Sequence, residues 1–532
     1  MSPHATSLLR PLSLTAALLG VHAAALADPQ GQRVIATQCA ACHVQTSPGH
    51  YNRISDVRKT PEGWDMTVAR MGLLHGVKLS PQDRQAVVKQ LADTQGLAPS
   101  ESAPFRYILE QRPSVVEQPW NPLVADTCTR CHSVARIGLQ HRTEADWRKL
   151  VHFHVGQFPT IELHANSRDR NWFDIARQDI PKVLAKTNAL QTKAWKDWQA
   201  TAPMDPSGTW RVAGHRPGWG DYEGEAEVSR TEGDLYTLRL QLRYADGRSE
   251  TAQGKATLFN KYEWRASVQQ GDATVRQVLT LSEGGTRLQG RWYVADTDAL
   301  GGDLQAWKQQ AGQARLVAVQ PAAIHNDQPT TVRLIGQNLQ GDLDFGPGVK
   351  VEQIVSRDAN QVVAVLRADA GAKAGAHTVQ VGSTKLTQGL FTYPKLDYIK
   401  VLPENPIARV GGNGGSRPKV PAQLEAVGYL VGPDGKPGTA DDIAVGVVPA
   451  SWQVGNLNEN AEAMKDKDFA GHMEANGLFW PGDAGPNPKR KFSTNNAGEL
   501  KATATYTQGP VRLDASVPLM VTVQRWNDPP VR

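Results

Sequence analysis

The pattern of apolar and polar residues changes near residue 205. Before this point the pattern is helical: Thr60 followed by Pro61 is typical of an N-cap with proline in the first turn, and residues 87–91 carry an apolar stripe. After it, residues 236–244 alternate strictly between apolar and polar, which predicts a half-buried antiparallel strand. The chain therefore begins as a helical region and continues as β-structure.

All four cysteines lie in two copies of one pentapeptide, CAACH from Cys39 to His43 and CTRCH from Cys128 to His132. In C-x-x-C-H, the two thiols form thioethers to the haem vinyl groups, and the histidine reaches the iron as an axial ligand. A zinc site made of all four thiolates would need ligand pairs from distant segments. The motifs predict two covalently bound haem c groups. The predicted attachment and ligand residues are Cys39, Cys42, His43, Cys128, Cys131 and His132.

A longer repeat surrounds these motifs and suggests the second iron ligands. TPEGWDMTVARM, residues 60–71, follows the first motif, and TEADWRKLVHFH, residues 143–154, follows the second. Each segment has Thr, then Trp four residues later, then a possible ligand seven residues after the Trp. Seven residues are about two helical turns, so both side chains share a helix face. We expect Trp64 and Trp147 to pack on the haems, and Met71 and His154 to ligate them.

Other residues compete for these ligand positions. Met66 and His75 are the alternatives to Met71, which could also be an ordinary core methionine. The alternatives to His154 are His141, His152 and His164. Met/His ligation raises a haem's potential relative to two imidazoles, so the two centres should differ in potential, which suits a relay in one direction.

The first thirty residues predict a secretory signal. Arg10 precedes an apolar run over residues 12–26, and Ala25-Leu26-Ala27 is typical of a cleavage site before Asp28. The run is too short for a membrane anchor. We therefore expect a periplasmic protein, the compartment where Gram-negative bacteria attach c-type haem. The net charge of +5 is too small to indicate nucleic-acid or membrane binding.

Together these features resemble the alpha subunit of quinohaemoprotein amine dehydrogenase over essentially the whole chain. The resemblance rests on the two C-x-x-C-H motifs, the Met or His seven residues after a Trp, and the succession of three β modules. The middle module, from LVAVQPAAIHNDQPTTVRLIGQNL through AGAHTVQVG, also resembles an immunoglobulin-like IPT/TIG domain.

The expected fold is multidomain, with an N-terminal all-α dihaem cytochrome c domain followed by three all-β domains, a barrel-like module and two immunoglobulin-like sandwiches. The predicted boundaries are 1–27 for the signal peptide, 28–204 for the dihaem domain, 205–312 for the barrel-like module, 314–395 for the IPT/TIG-like domain and 396–532 for the C-terminal domain. His215, in the Gly-rich stretch GHRPGWGDYEGE, indicates a turn rather than a catalytic base.

The resemblance implies a heterotrimer. In that family a beta chain forms a seven-bladed propeller, and a small gamma chain carries the cysteine tryptophylquinone that oxidises primary amines. Electrons then pass through the two alpha-chain haems to azurin or a cytochrome c. The resemblance also implies a surface haem with Met/His ligation, at His43 and Met71, and a more buried bis-His haem, at His132 and His154. All four thiols here are committed to haem, so the quinone should lie on another chain.

Two functions of other classes stay open. The chain could be a stand-alone dihaem electron carrier or sensor whose β modules bind a carbohydrate or a protein. It could also be a dihaem peroxidase, although that function requires one ligand to leave its iron on reduction, which the helical register of His154 disfavours. A small quinone-bearing chain that copurifies would distinguish the amine dehydrogenase from both.

Overall fold

The computed structural model describes residues 29–112, 115–158, 161–166 and 168–524. The predicted signal peptide, residues 1–27, lies outside these ranges. Within them, none of the helices combines the length and the apolar character that a membrane crossing requires.

Short helices occupy most of the N-terminal region, joined by a π-helical turn at Ile35–Cys39 and a 3₁₀ turn at Ala103–Phe105. The helices are α1 (Pro29–Val34), α2 (Pro61–His75), α3 (Pro81–Thr94), α4 (Pro99–Ser102), α5 (Arg106–Leu109), α6 (Pro122–Cys128), α7 (Ala135–Gly138), α8 (Glu144–Gln157), α9 (Ile161–Ala165), α10 (Trp172–Gln178), α11 (Ile180–Thr187) and α12 (Lys193–Gln199). The strands are β1 (Gln45–Ser47), β2 (His50–Tyr51), β3 (Val57–Lys59) and β4 (Gln140–Arg142).

The prediction of an all-α N-terminal domain is therefore wrong. Strands dominate the chain as a whole, and the N-terminal region itself contains two antiparallel ribbons, β1–β2 and β3–β4. In the second ribbon, Arg58 pairs with His141. The extended segment before α2 has a local cause in addition to this tertiary pairing. Thr60 precedes a proline, which disfavours the helical conformation before it, so the chain enters α2 from an extended segment.

The predicted helix starts at the two threonines are confirmed. Thr60 Oγ1 accepts a hydrogen bond from the Gly63 amide at 3.3 Å, and Thr143 Oγ1 accepts one from the Asp146 amide at 3.1 Å. Both threonines are extended, with ψ angles of 165° and 157°. Each side chain thus satisfies an amide that the first helical turn leaves unpaired.

The next part of the chain is an eight-stranded antiparallel barrel, closed in the order β10-β11-β12-β5-β6-β7-β8-β9. Its strands are β5 (Gly208–Arg216), β6 (Gly220–Glu232), β7 (Leu235–Tyr244), β8 (Ser249–Phe259), β9 (Glu263–Gln270), β10 (Ala273–Ser282), β11 (Arg287–Val294) and β12 (Thr297–Lys308). The predicted alternation along β7 is confirmed, since every second residue is buried. Trp210, Trp264 and Trp292 help to fill the interior, which leaves a cavity of about 20 Å³. The barrel is packed and has no room for an organic substrate.

Two four-stranded sheets follow, in the orders β13-β15-β18-β17 and β14-β20-β19-β16. Their strands are β13 (Arg315–Gln320), β14 (Ala323–His325), β15 (Thr330–Gln337), β16 (Leu343–Asp344), β17 (Val349–Arg357), β18 (Gln361–Ala368), β19 (Gly375–Val381) and β20 (Thr384–Tyr393). Residues from both sheets share one hydrophobic core, which includes Val332, Leu366 and Val379. This arrangement is a β-sandwich.

The C-terminal part combines three sheets, β21-β24-β25, β22-β30-β29-β26 and β23-β28-β27. Its elements are β21 (Tyr398–Leu402), β22 (Ile407–Arg409), β23 (Ala422–Gln423), β24 (Glu425–Leu430), β25 (Ile443–Val448), β26 (Ser451–Asn456), α13 (Glu459–Ala463), α14 (Asp466–Phe469), β27 (Gly471–Met473), β28 (Leu478–Pro481), β29 (Gly498–Gln508) and β30 (Val511–Thr522). One core links strands of all three sheets. The exact domain boundaries and the immunoglobulin-like classification stay predictions.

Polar contacts attach the N-terminal region to the barrel. Asn260 Nδ2 donates to the Leu97 carbonyl at 2.6 Å, and Arg291 Nη1 donates to the Glu110 carbonyl at 2.8 Å. Asn260 and Arg291 are both buried. Buried donors that lose their partners are costly, so these pairs hold the barrel in one position against the N-terminal region.

His215 connects the barrel to the C-terminal part of the chain. The residue lies near the end of β5, where its Nδ1 is 2.7 Å from Asp221 Oδ1 and its Nε2 is 2.8 Å from Glu425 Oε1. Although burial lowers the pKa of His215, the hydrogen bonds and charges of the two carboxylates raise this pKa to about 10. The imidazolium is therefore a charged connection between two domains. The predicted turn at His215 is wrong, because the residue lies in strand β5 and pairs with Asp221 and Asp303.

We expect this connection to stabilise the protein up to alkaline pH. The pKa of His215 in the folded protein lies above its ordinary value of 6.5, so its stabilisation is complete below pH 6.5 and is lost as pH rises through about 10. His215→Gln should cost about 2 kcal/mol at neutral pH, the scale of a charged hydrogen bond. The check is the midpoint of urea unfolding for both proteins between pH 6 and 11.

The matched control is His472→Gln on β27, because His472 is exposed and forms no ion pair among the described residues. The difference between wild type and His215→Gln should shrink toward pH 11, whereas His472→Gln should match wild type throughout. A difference that stays constant across this pH range would contradict the charged connection.

Candidate haem-binding site

The first motif forms a tight turn, and a backbone carbonyl orients its histidine. The amides of Cys42 and His43 both donate to the Cys39 carbonyl, at 3.1 and 2.9 Å. His43 Nδ1 lies 3.0 Å from the Asn52 carbonyl oxygen. A carbonyl can only accept, so Nδ1 carries the proton and Nε2 keeps the lone pair that an iron ligand needs.

One face of α2 is directed toward this motif. Trp64 is 1% exposed and belongs to the hydrophobic cluster against which Cys39 and Val68 pack. Its Nε1 donates to the Gln95 carbonyl at 3.1 Å. Met71 is half-buried and lies seven residues after Trp64 and three after Val68, so the three side chains follow one face. Of the competitors, Met66 is half-buried and His75 is exposed at the end of the helix.

The second motif repeats this arrangement. Trp147 is 2% exposed and lies in a cluster against which Cys128 and Leu150 pack. His154 follows on the same face of α8, and its Nδ1 lies 2.7 Å from the Leu150 carbonyl oxygen. His132 Nδ1 lies 2.9 Å from the Ser133 carbonyl oxygen. Both histidines therefore keep Nε2 free for iron.

His132 and His154 are both half-buried and lie within electrostatic range of each other. Burial lowers the pKa of His132, and the nearby Arg136 and His154 lower it further. Burial also lowers the pKa of His154, with Arg70 adding to the effect. Both imidazoles are thus held neutral, and the neutral imidazole is the form that ligates a metal.

The other histidines near the second motif lie in different surroundings. His141 is buried in β4, with Nδ1 2.9 Å from the Ala189 carbonyl oxygen and 3.6 Å from Glu101. His152 is exposed and packs edge-on against Phe173. His164 Nε2 lies 3.3 Å from Cys131 Sγ, so it borders the site without sharing the face of His154.

The thiols and the surface around them fit haem c. All four cysteines are free of disulfides. Burial raises the pKa of the Cys128 thiol to about 12, and burial likewise raises the pKa values of Cys39 and Cys131. Large apolar side chains are exposed on the same segments, which fits the binding of a large apolar group: Val44, Leu73, Leu74, Val155, Phe158 and Leu163.

Sequence reasoning missed the basic residue before each helix cap. The Lys59 ammonium lies 5.3 Å from the ring centroid of Trp64, and the Arg142 guanidinium lies 5.5 Å from that of Trp147. Both bases are buried in the β3–β4 ribbon. The signal was present in the sequence, because the internal repeat extends one residue upstream, as Lys59-Thr60 and Arg142-Thr143.

Comparison with solved structures yields only low overall similarity. A redesigned β-barrel is 19% identical, covering 20% of this chain and 91% of that chain with a TM-score of 0.17. A de novo fluorescence-activating β-barrel is 22% identical and covers 20% of this chain and 93% of that chain, also with a TM-score of 0.17. The EC1-3 region of mouse clustered PcdhgC3 is 12% identical and covers 48% of this chain and 78% of that chain, again with a TM-score of 0.17. These likenesses carry no functional argument. No curated protein sequence matches the chain.

Family models, by contrast, account for nearly all of the chain. The haem-binding region of the quinohaemoprotein amine dehydrogenase alpha subunit matches residues 29–195. Domains II, III and IV of the same subunit match residues 204–309, 313–394 and 399–531. All four models are specific to this one subunit, and they match in its order along the chain. The chain belongs to the family of quinohaemoprotein amine dehydrogenase alpha subunits.

Proposed function

We propose that this chain is the electron-transfer subunit of a periplasmic quinohaemoprotein amine dehydrogenase, with one haem c at each C-x-x-C-H motif. Bound haem supplies one-electron redox chemistry, and this chain supplies attachment, ligation and electrostatic environment. One observation carries the proposal: each motif meets a helix face on which a buried Trp is followed seven residues later by Met71 or His154.

The proposed ligands are His43 and Met71 at the first site, and His132 and His154 at the second. Hydrogen bonds from Nδ1 to a carbonyl orient all three histidines, which supports ligation through Nε2. Cys39, Cys42, Cys128 and Cys131 would hold the porphyrins. Trp64 and Trp147 would support the haem sites from within the two cores.

The substrate-oxidising quinone would lie on a partner chain. A cysteine tryptophylquinone requires a thiol, and the four thiols of this chain are assigned to haem. The packed barrel interior also gives no place for an amine substrate. We therefore propose a propeller-shaped beta subunit and a small quinone-bearing gamma subunit as partners, with azurin or a cytochrome c as acceptor.

Electrons would enter at the haem ligated by His132 and His154 and leave from the haem ligated by His43 and Met71. Met/His ligation gives the higher potential, which suits the exit. The three β domains would bind the partner chains and frame the quinone subunit. The polar docking of the barrel onto the N-terminal region supports a rigid frame of this kind.

The subunit composition is the first test. Native protein isolated from the periplasm should give a haem-staining band somewhat below 57.9 kDa, the mass of the full chain, on a denaturing gel. A small second band should stain for quinone by redox cycling. A haem-staining chain that copurifies with no quinone-bearing partner would sink the enzyme assignment and leave a dihaem carrier.

Met71→Leu tests the first ligand pair. Leucine keeps the apolar packing on α2 and removes the sulfur, so we expect complete loss of the charge-transfer absorption that marks methionine bound to ferric haem. The matched control is Met66→Leu, five residues earlier on the same helix, which should keep this absorption. If Met66→Leu abolishes the band and Met71→Leu retains it, the assignment is wrong.

His154→Gln tests the second pair. Glutamine keeps polarity but cannot replace an imidazole, so the electron paramagnetic resonance signal of a bis-histidine ferric haem should disappear. His152→Gln and His164→Gln should each retain it, because His152 packs on Phe173 and His164 borders Cys131. A retained signal in His154→Gln would show that another histidine is the ligand.

A further inference from the structure

An exposed phenylalanine lies at the tip of the loop that precedes β29, residues 486–495, which we call the Phe492 loop. Phe492 is 83% exposed, and no large apolar side chain in the described part of the chain is more exposed. Its backbone is left-handed, with a φ angle of 61°, and Ser493 after it has a φ angle of 51°. This conformation crowds the Cβ atom, so two consecutive residues are strained.

The Arg490 side chain anchors the loop. It is 1% exposed and donates to the carbonyls of Asn495 and Ala497, both at 2.7 Å. It also forms a buried ion pair with Asp466. Arg490 therefore joins the chain before the tip to the chain after it. The tip is held in one conformation, and it loses little conformational entropy when it binds.

Folding alone does not account for a phenylalanine at this position. Strained backbone persists only where its surroundings hold it in place, and it is concentrated at functional positions. The Phe492 ring is in solvent, so burial of the ring does not offset the strain. Asparagine adopts the left-handed conformation more easily than any bulky apolar residue does.

The surface around the ring is positively charged. Lys489 and Lys491 are both exposed, and neither forms an ion pair with a residue that the structure describes. The Lys491 ammonium lies 5.2 Å from the centroid of the Phe492 ring. Residues 486–495 contain no carboxylate, and Asp466 already neutralises Arg490. The loop thus presents an apolar ring beside two uncompensated positive charges.

These charges favour an acidic protein as the occupant. In a two-fold contact between copies of this chain, the same patch would meet itself and bring lysine against lysine. A membrane surface is also a poor occupant, because one phenylalanine buries far less apolar area than a lipid anchor, and a single lipid chain binds only marginally. A rigid aromatic residue in a pocket of a partner protein is, by contrast, a typical interface hot spot.

We propose that the Phe492 loop is a docking site for a partner subunit of the amine dehydrogenase complex. Phe492 would fill an apolar pocket on that subunit, and carboxylates at the border of the pocket would pair with Lys489 and Lys491. This inference rests on the proposed function, which requires partner chains. It gives the C-terminal domain a specific task, which is to hold a partner through one preformed contact.

The test compares wild type with Phe492→Asn in the complex isolated through a tag on this chain. Asparagine tolerates the left-handed backbone and removes the ring. The dissociation rate of the partner chains after dilution, followed by native mass spectrometry, should rise about tenfold or more, the effect of losing an interface hot spot. The urea midpoint of the separated full chain should stay equal or rise, because the backbone strain is relieved. A phenylalanine that only supported the fold would lower this midpoint.

Three further variants separate the ring from the backbone and the charge. Gln388→Asn is the matched backbone control, because Gln388 is exposed in the preceding domain with a φ angle of 54°, and it should leave the dissociation rate unchanged. Phe492→Tyr keeps the ring and should stay close to wild type. Lys491→Gln should slow reassociation of the partner chains and weaken its dependence on salt.

The outcomes distinguish this inference from the proposed function. Partner chains that leave Phe492→Asn at the wild-type rate would overturn the inference alone. It is also wrong if the wild-type chain instead binds anionic lipid vesicles or self-associates, and Phe492→Asn abolishes that binding. Wild type that isolates with no partner chain would refute the proposed function and this inference together.

Discussion

The β3–β4 ribbon is the constraint on which the haem-binding region depends. Its two strands run antiparallel, with Arg58 opposite His141, so the ribbon leads into α2 from one end and into α8 from the other. A buried ion pair holds the ribbon in place. The two Nη nitrogens of Arg58 donate to the Glu101 carboxylate, at 2.7 and 2.9 Å. Removing one partner of a buried ion pair strongly destabilises a protein, because the other charge is left buried and unpaired. This ion pair thereby fixes the separation of α2 and α8, the two helices that carry the proposed ligands Met71 and His154.

The barrel extends this constraint to the rest of the chain. A closed barrel has no free edge, and aromatic side chains fill its interior, so it presents a stiff outer wall. The N-terminal region docks on this wall through buried donors such as Arg291, and the C-terminal part attaches through His215. Hydrogen bonds of this kind form in only one relative position of the two domains, whereas apolar contacts allow one surface to slide over the other. The chain thus suits the role of a frame that holds redox centres at set positions relative to other subunits.

Sequence was informative wherever the determinants are local. The C-x-x-C-H motifs, the threonine caps and the seven-residue step from Trp64 to Met71 lie within single turns or helices, and the alternation along β7 reports burial directly. The ribbon could not be predicted, because its partners are more than 80 residues apart and each strand has only three residues. The partner of His215 lies 210 residues away, so its role was missed and a turn was predicted instead.

The repeat also shows how two similar sites acquire different charge. Arg142 has Asp146 as its counter-ion, and the matching residue for Lys59 is Gly63, three positions after the cap in each unit. The first unit has little space for a carboxylate there. A Cβ at Gly63 would lie 3.0 Å from the Lys59 Cβ, because the lysine stem folds back over α2 to bring its ammonium onto Trp64. A carboxylate at position 63 would therefore require the Lys59 stem to shift by a few tenths of an ångström. The different charge of the two repeat units thus follows from how Lys59 packs on the first helix.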